Sequence, residues 1–218
     1  SGNQRANRNG SVAETPCEAA LRLIDEGNAI EEAGQLDEAL RLYNAAIGVA
    51  PDLARAHMNR GNILLARGNA VEALNAYQKA LELEPDYAAA HYNAGNAQAS
   101  LNNHEAACAA YEKAILLKSD FTDAHVALGN ALEDIGRRDE AIASYRRALE
   151  ISPDYAEVHA NLGKTLLALG HQEEAMTSLQ RAVELMPDDM ETLFVLGVTQ
   201  KSRGELDAAR SSFSILHA

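Results

Sequence analysis

Four histidines recur at intervals of 34 residues in this chain of 218 residues: His57, His91, His125 and His159. Imidazole serves both as a metal ligand and as a general acid or base, so a regular row of histidines raises the question of a metal or catalytic site. A zinc site requires ligand nitrogens about 2.0–2.1 Å from one ion. Equivalent atoms in successive helical hairpins lie one or two helix spacings apart, each about 8–10 Å. The four histidines therefore cannot share an ion, and we interpret them as packing residues.

No other pattern of reactive residues predicts a catalytic site. The chain has no GxGxxG, GxxxxGK[ST], GxSxG or HExxH motif, and "HEAAC" at 104–108 lacks the second histidine of the last of these. The pairs Glu31–Glu32 and Glu133–Asp134 have the residue types of an acid/base couple, but such pairs are far more often a solvated face. We therefore predict no enzymatic activity, no metal and no cofactor for this chain.

The composition of the chain excludes further classes of function. There are 19 Lys and Arg against 32 Asp and Glu, which gives a formal charge of −13 at pH 7. An acidic chain without a basic stripe repels phosphate backbones, so we expect no nucleic-acid partner. No run of 18 apolar residues is present, so we expect no membrane insertion. Cys17 and Cys108 indicate no disulfide framework, and we expect a cytoplasmic location. The sequence begins at Ser1 rather than Met, so its N-terminus can be a boundary at which a longer protein was cut.

The elements that position the histidines come from a repeat of 34 residues. Position 8 of every repeat is glycine and position 20 is alanine, while position 24 is tyrosine in the first four repeats. Position 32 is proline in four repeats and serine in one, and the last repeat is incomplete. The six repeats start at Ala20, Ala54, Ala88, Thr122, Ala156 and Met190. Self-similarity at such a fixed period is the sequence signature of a repeat architecture.

The spacing within each repeat predicts two helices. In the first helix, positions 4, 7, 8 and 11 form one packing face, and the histidines occupy position 4. In the second helix, positions 20, 24 and 27 form the packing stripe. Glycine or asparagine at position 15 suits a left-handed cap of the first helix, and proline at position 32 ends the second. An aspartate follows position 32, and we predict that it is the N-cap of the next repeat: Asp52, Asp86, Asp120, Asp154 and Asp188.

These residues resemble the tetratricopeptide repeat, a unit of 34 residues with glycine at position 8, alanine at 20 and 27, tyrosine at 24 and proline at 32. The resemblance covers residues 20–218. It implies an all-α fold, a right-handed superhelical solenoid of six helix-turn-helix repeats whose concave groove is lined by the first helices. Stacking is required because one repeat cannot bury its apolar faces alone.

The residues before the first repeat predict a tail and a helix start. "SGNQRANRNGSVAE" at 1–14 has almost no apolar residues, so we predict that it is disordered. "TPCE" at 15–18 supplies Thr15 as N-cap, Pro16 as first helical residue and Glu18 at the third. We therefore place the solenoid at 15–218.

Asparagines form a second row, on the stripe of the first helix opposite its packing face. We refer to the asparagines at positions 6 and 9 of the first five repeats, together with Lys164 at position 9 of the fifth, as the asparagine row: Asn28, Asn59, Asn62, Asn93, Asn96, Asn130, Asn161 and Lys164. Each mid-helix asparagine costs about 0.5–0.7 kcal/mol relative to alanine, so a compensating role is expected. A carboxamide can bond both the C=O and the N–H of an extended peptide. We predict that the row binds a peptide backbone; the alternative is that its side chains bond between adjacent repeats or were copied when the repeat duplicated.

The resemblance extends this prediction. Peptide-binding members of the family place groove residues at positions 2, 5, 6, 9, 12 and 13, which adds Arg55, Met58 and Tyr92 as expected contacts. The asparagine row is similar to that in the repeat region of O-linked N-acetylglucosamine transferases. The lysine at position 5 that chaperone-tail clamps need is missing, so a chaperone carboxylate is not expected. Acidic groove residues outnumber Arg55 and Lys164, which favours a neutral or basic ligand.

The predicted function is thus a protein-interaction module that binds an extended peptide segment in its groove. One alternative is the substrate-recruiting N-terminal arm of a larger enzyme, a glycosyltransferase or methyltransferase, whose catalytic domain is absent from this sequence. The other alternative is a self-assembling scaffold.

The sixth repeat lacks the polar outer face that a terminal repeat needs. "LFVLGV" at 193–198 is apolar all round its helix, and a helix of this kind is normally buried on every side. We predict that the apolar residues of this repeat contact a following domain or repeat, or a second copy of the chain: Phe194, Val195, Val198, Ile215 and Leu216.

Overall fold

A computed structural model describes residues 14–215, except for the side chain of Ile215. These residues form two compact units, which meet in the sequence between Leu101 and Asn102, with α1–α5 in the first and α6–α12 in the second. The helices are α1 (Pro16–Glu32), α2 (Leu36–Val49), α3 (Ala54–Ala66), α4 (Ala70–Leu83), α5 (Ala88–Ser100), α6 (His104–Leu117), α7 (Thr122–Asp134), α8 (Arg138–Ile151), α9 (Ala156–Ala168), α10 (Gln172–Leu185), α11 (Met190–Ser202) and α12 (Leu206–Ile215). The predicted all-α class with two helices in each of six repeats is confirmed.

The first helix begins where the sequence predicts. Thr15 is the N-cap of α1, its backbone N donates to Glu18 Oε2 at 2.8 Å, and the backbone N of Glu18 donates to Thr15 Oγ1 at 3.2 Å. This reciprocal capping box satisfies two of the donors that a helix start leaves unpaired. The tail at 1–14, which we predict to be disordered, lies outside the described residues except for Glu14.

The turn between the two helices of each repeat requires left-handed backbone. Position 15 has positive φ in all six repeats, between 76° and 82° at the glycines and 59° at the asparagine: Gly34, Gly68, Asn102, Gly136, Gly170 and Gly204. The predicted left-handed caps are confirmed. Glycine adopts this conformation without steric cost, and asparagine is the next most tolerant residue.

The second helix of each of the first five repeats ends two residues before position 32. α4 ends at Leu83, before Pro85, as expected because the residue that precedes proline disfavours helical backbone. α6 ends at the same place although position 32 is Ser119 there, so proline is not required for the stop.

The prediction that aspartates at position 33 cap the next repeat is wrong at all five places. The N-caps are the residues one place later, namely Leu53, Tyr87, Phe121 and Tyr155, and none makes a side-chain capping bond. Leu53 and Tyr87 pack against the apolar core, and this burial decides where the helix begins. In the sixth repeat the cap also lies one place later, at Asp189 rather than Asp188, and Asp189 accepts from Glu191 N at 3.2 Å.

The glycine at position 8 and the aromatic ring at position 24 fix the distance between the two helices of a repeat. Tyr43 and Tyr77 are fully buried. A Cβ atom placed on Gly61 would lie 2.5 Å from Tyr77 Cε1, and one on Gly27 would lie 2.6 Å from Tyr43 Cε1. Only glycine permits this approach.

Candidate functional site

The four histidines hold the turn that precedes their own helix. Each Nε2 bonds the backbone carbonyl six residues earlier: His57 to Pro51 O at 2.8 Å, His91 to Pro85 O at 2.9 Å, His125 to Ser119 O at 3.1 Å and His159 to Pro153 O at 2.8 Å. Because a carbonyl only accepts, Nε2 carries the proton. His57 and His125 are 5% and 7% exposed, as expected of packing residues, whereas His91 and His159 are half-buried. Within residues 14–215, no three His, Cys, Asp or Glu side chains are grouped as a metal site.

The asparagine row forms a hydrogen-bond network with the tyrosines at position 24. Asn62 Oδ1 accepts from Tyr77 OH at 3.0 Å and from Asn93 Nδ2 at 2.9 Å. In the second compact unit, Asn130 Oδ1 accepts from Tyr145 OH at 2.8 Å and from Asn161 Nδ2 at 3.1 Å. One carbonyl therefore joins the tyrosine of its own repeat to the asparagine of the next. The bonds between adjacent repeats that the alternative interpretation anticipated are present.

The first repeat has a charged version of this network. Tyr43 OH lies 2.6 Å from Glu31 Oε2, and the single hydroxyl proton is given to that carboxylate. The Asn28 amide is therefore best assigned with Nδ2 donating to the hydroxyl at 2.9 Å and Oδ1 accepting from Arg55 Nη2 at 2.8 Å. Arg55 also pairs with Asp25 at 3.1 Å. Burial first, and Glu31 second, raises the pKa of Tyr43.

A pattern in the sequence accompanies the network, and the prediction from one face of the first helix missed it. Asparagine stands at position 9 in each of the four repeats that have tyrosine at position 24. In the fifth repeat, Leu179 stands in place of the tyrosine and Lys164 in place of the asparagine. In the sixth repeat, Phe213 stands in place of the tyrosine and Val198 in place of the asparagine. A buried hydroxyl needs a hydrogen-bond partner. The hydrogen bond to the tyrosine therefore compensates for part of the helix-propensity cost of the asparagine.

Asn130, Asn161 and Lys164, all predicted contact residues, line one open cleft in the second compact unit. The other lining residues are Glu133, Asp134, Tyr145 and Thr165. Since Asn130 Oδ1 is taken by Tyr145 and Asn161, the unused groups are the Nδ2 protons of Asn130 and the Oδ1 atom of Asn161, which bond no other residue in the described part of the chain. The cleft thus offers a donor and an acceptor with fixed orientation.

Cations along the row are paired with carboxylates. Lys164 Nζ lies 2.6 Å from Glu191 Oε1, and Arg138 Nε donates to Glu133 Oε1 at 2.9 Å. Burial raises the pKa of Tyr145, and the carboxylates of Glu133, Asp134 and Glu157 raise it further. Among the lining residues, the carboxylates of Glu133 and Asp134 outnumber the ammonium group of Lys164.

The remaining predicted contacts differ in accessibility. Asn59 is only 6% exposed and so is the least available member of the row. Met58 is half-buried and packs on the alanine core of the second and third repeats. Asn28, Tyr92 and Asn96 are half-buried.

The apolar residues of the sixth repeat separate into two sets. Phe194 and Val198 are 56% and 45% exposed, and the Phe194 ring lies 6.2 Å from that of Phe213. Val195 instead packs on the core around Leu196, so it is not part of the exposed set. Leu216 and the Ile215 side chain, both predicted contacts, lie outside the described residues.

Sequence comparisons identify the family. A family model described as "TPR repeat" matches residues 61–102, 95–136 and 134–170, which together span half of the chain. The chain belongs to the tetratricopeptide repeat family. Two further models, each described as "Tetratricopeptide repeat", match residues 24–80 and 156–189. Proteins of this family are protein-interaction modules. No curated protein matches the chain.

Solved structures of tetratricopeptide proteins share the fold. YrrB, described as a TPR protein with an unusual peptide-binding site, is 26% identical at a TM-score of 0.69, over 80% of this chain and 90% of that one. MamA from Desulfovibrio magneticus RS-1 is 19% identical at 0.71, over 79% of this chain and 97% of that one. PilF of Pseudomonas aeruginosa is 18% identical at 0.81, over 90% of both chains. Between residues 14 and 215, no helix has both the length and the apolar character needed to cross a membrane.

Proposed function

We propose that this tetratricopeptide protein binds an extended, neutral or basic peptide segment through backbone contacts made by the asparagine row. The observation that carries the proposal is the pair of unused amide groups on Asn130 and Asn161, which border one open cleft. An Nδ2 donor suits a peptide C=O, and an Oδ1 acceptor suits a peptide N–H. Asn62 and Asn93 repeat this arrangement in the first compact unit.

The hydrogen bonds inside the network favour this role. Tyr145 OH and Asn161 Nδ2 both bond Asn130 Oδ1, so the Asn130 amide is oriented before a ligand arrives. A group that is already ordered loses less conformational entropy on binding, which raises affinity. Contacts to the peptide backbone impose no particular side chain, whereas Glu133, Asp134 and Glu157 favour basic residues in the ligand. YrrB, whose description includes a peptide-binding site, supports the same class of ligand.

A random peptide library displayed on phage tests the proposal. We expect selected peptides to share an excess of basic residues without a strict consensus. Asn161→Ala should weaken binding of a selected peptide by about tenfold, the loss expected for one or two hydrogen bonds. Gln180→Ala is the matched control, because Gln180 is an exposed amide on α10 and is not part of the network.

Thermal melting of both variants separates ligand contact from folding. If Asn161→Ala binds the selected peptides as tightly as the parent and melts at a lower temperature, the network serves only to join repeats and the proposal is wrong.

Exposed apolar residues favour a second candidate, self-association through the sixth repeat. Phe194, Val198 and Met190 are 45–56% exposed on α11, and burying such side chains contributes about 25 cal/mol per Å². We expect the parent to sediment as a concentration-dependent dimer and Phe194→Glu to sediment as a monomer. A parent that stays monomeric at high micromolar concentration contradicts this candidate.

A further inference from the structure

Arg60 breaks the pattern of the packing face of the first helix. It occupies position 7 of the second repeat, where the last four repeats have Ala94, Leu128, Leu162 and Leu196, all at most 8% exposed. The first repeat has Glu26 at this position, but Glu26 is exposed, whereas Arg60 is half-buried. A half-buried arginine is informative because guanidinium groups are almost never buried without a partner.

The Arg60 guanidinium has no partner within the described part of the chain. Its Nε atom is inaccessible to solvent and makes no hydrogen bond. Ten of the twelve described arginines pair with a carboxylate, and the other exception, Arg210, is exposed. Among the described residues, Arg60 is thus the one half-buried arginine that forms no ion pair. An unsatisfied buried donor calls for an explanation such as a missing ligand.

Arg60 lines a surface pocket between α2 and α4, which we name the Arg60 pocket: Leu40, Asn44, Arg60, Leu64, Glu72 and Asn75. Leu64 is only 9% exposed, so one wall is apolar and strengthens electrostatic interactions beside it. The amides of Asn44 and Asn75 are exposed and bond no other described residue, and neither does the carboxylate of Glu72.

The second compact unit contains the corresponding surface with different residues. There, Leu128 stands at position 7 and Ala143 at the position of Asn75, and both line a groove with Ile115 and Glu112. Leu128 is 8% exposed and packs without difficulty. Since leucine satisfies the fold at this position, packing does not explain Arg60.

We propose that the Arg60 pocket binds a glutamate or aspartate side chain of a partner polypeptide. The planar guanidinium presents paired donors that match a carboxylate, and the bond gains strength from the full charges on both sides. The amides of Asn44 and Asn75 supply donors and acceptors for the backbone that flanks the acidic residue. Glu72 at the rim repels a dianion more than a monoanion, which favours a carboxylate over a phosphate group. The pocket shares no residue with the asparagine row, so it is a second site with the opposite charge preference.

The test uses the whole chain and two blocked peptides, acetyl-Gly-Glu-Gly-amide and acetyl-Gly-Gln-Gly-amide, followed by NMR. The glutamate peptide at millimolar concentration should shift the Arg60 Nε–H and the Asn44 and Asn75 side-chain amide signals saturably. The glutamine peptide should shift none of them. Arg210, exposed and unpaired, is the control for non-specific binding, and its signal should not saturate.

Two variants make the result decisive. Arg60→Leu, which copies the residue of the fourth, fifth and sixth repeats, should lose the response of the amides while melting at the same or a higher temperature than the parent. Glu72→Gln should tighten binding of the glutamate peptide about threefold by removing a neighbouring like charge. The proposal is overturned if Arg60→Leu melts markedly lower, if Glu72→Gln abolishes binding, or if Arg60 and Arg210 respond alike.

Discussion

The second and sixth repeats place different residues at the same three positions. The second has Asn59, Asn62 and Tyr77, whereas the sixth has Val195, Val198 and Phe213. Both keep glycine at position 8, and in both the ring at position 24 occupies the space that a Cβ atom there would need. The packing of the two helices is therefore the same, and only the polar network differs.

We infer from this difference that one residue of the second helix sets the character of the row on the first. A buried tyrosine hydroxyl needs an acceptor, and Asn62 supplies it; its carbonyl then has a second lone pair for Asn93 of the next repeat. Phenylalanine removes the need for an acceptor. The sixth repeat then has Val198 where the asparagine would stand, and the surface becomes apolar and 45% exposed at that residue.

The largest effect is expected from the feature that both repeats share. Gly61→Ala places a methyl group 2.5 Å from Tyr77 Cε1, and overpacking of this kind costs about 1–3 kcal/mol. Gly197→Ala should cost less, because its methyl group would lie 2.8 Å from Phe213 in the last repeat. Urea unfolding measures both. Gly48→Ala is the control: it meets nothing within 4 Å, and we expect it to stabilise the chain by about 0.5–1 kcal/mol. If Gly61→Ala stabilises the chain as much as Gly48→Ala does, helix propensity and not the close approach decides.

The coupling between Asn62 and Tyr77 comes next in size. Asn62→Val leaves the buried hydroxyl without its acceptor and should cost about 1–3 kcal/mol, whereas Tyr77→Phe should cost about 0.5–1.5 kcal/mol. The double variant copies the valine and phenylalanine of the sixth repeat, so it should cost about 1 kcal/mol less than the sum of the single changes. Strict additivity in a urea-unfolding cycle would contradict the link between the two positions.

Several features of the fold were predictable because they depend on local chemistry. The period, the left-handed turns at Gly34 and its counterparts, and the capping box at Thr15 follow from residue types at fixed spacing. The aspartate caps were predicted wrongly because burial of Leu53 and Tyr87 outweighs the capping preference, and burial is a property of the packed structure.

The candidate site was predictable only in part. The row of asparagines is visible in the sequence, but its partner Tyr77 lies 15 residues away on another helix, so the network appears only when both helices are considered. The correlation between position 9 on the first helix and position 24 on the second is visible in the sequence, but it is found only by comparing the two helices. Arg60 was missed for a different reason: it lies on the face assigned to packing, and its unpaired Nε is a property of the folded structure.

High pH should distinguish the tyrosine repeats from the sixth. Burial raises the pKa of Tyr77 and Tyr145 above the ordinary value of 10.0. The folded state therefore holds the phenolic proton more tightly than the unfolded state, so this contribution to stability is complete below pH 10 and decreases as the pH rises beyond it. We expect absorbance at about 295 nm to show ionisation of these tyrosines together with unfolding. In Tyr77→Phe, the loss of stability above that pH should be smaller than in the parent. An identical alkaline unfolding curve for the variant would contradict the role assigned to Tyr77.

The smallest effect is expected from the reverse exchange in the sixth repeat. Val198→Asn alone introduces an asparagine opposite Phe213, which has no hydroxyl, so we expect only the helix-propensity change between two residues of similar rank, under about 0.5 kcal/mol. Val198→Asn with Phe213→Tyr recreates the pair of the first four repeats, and the new hydrogen bond should stabilise the chain by about 0.5–1.5 kcal/mol relative to Phe213→Tyr alone. Urea unfolding of the four proteins measures this coupling, and Val198→Ala with Phe213→Tyr is the control without an acceptor. If the asparagine and alanine versions are equally stable, position 24 does not determine what position 9 requires, and the polar row of the earlier repeats must be explained by its ligand alone.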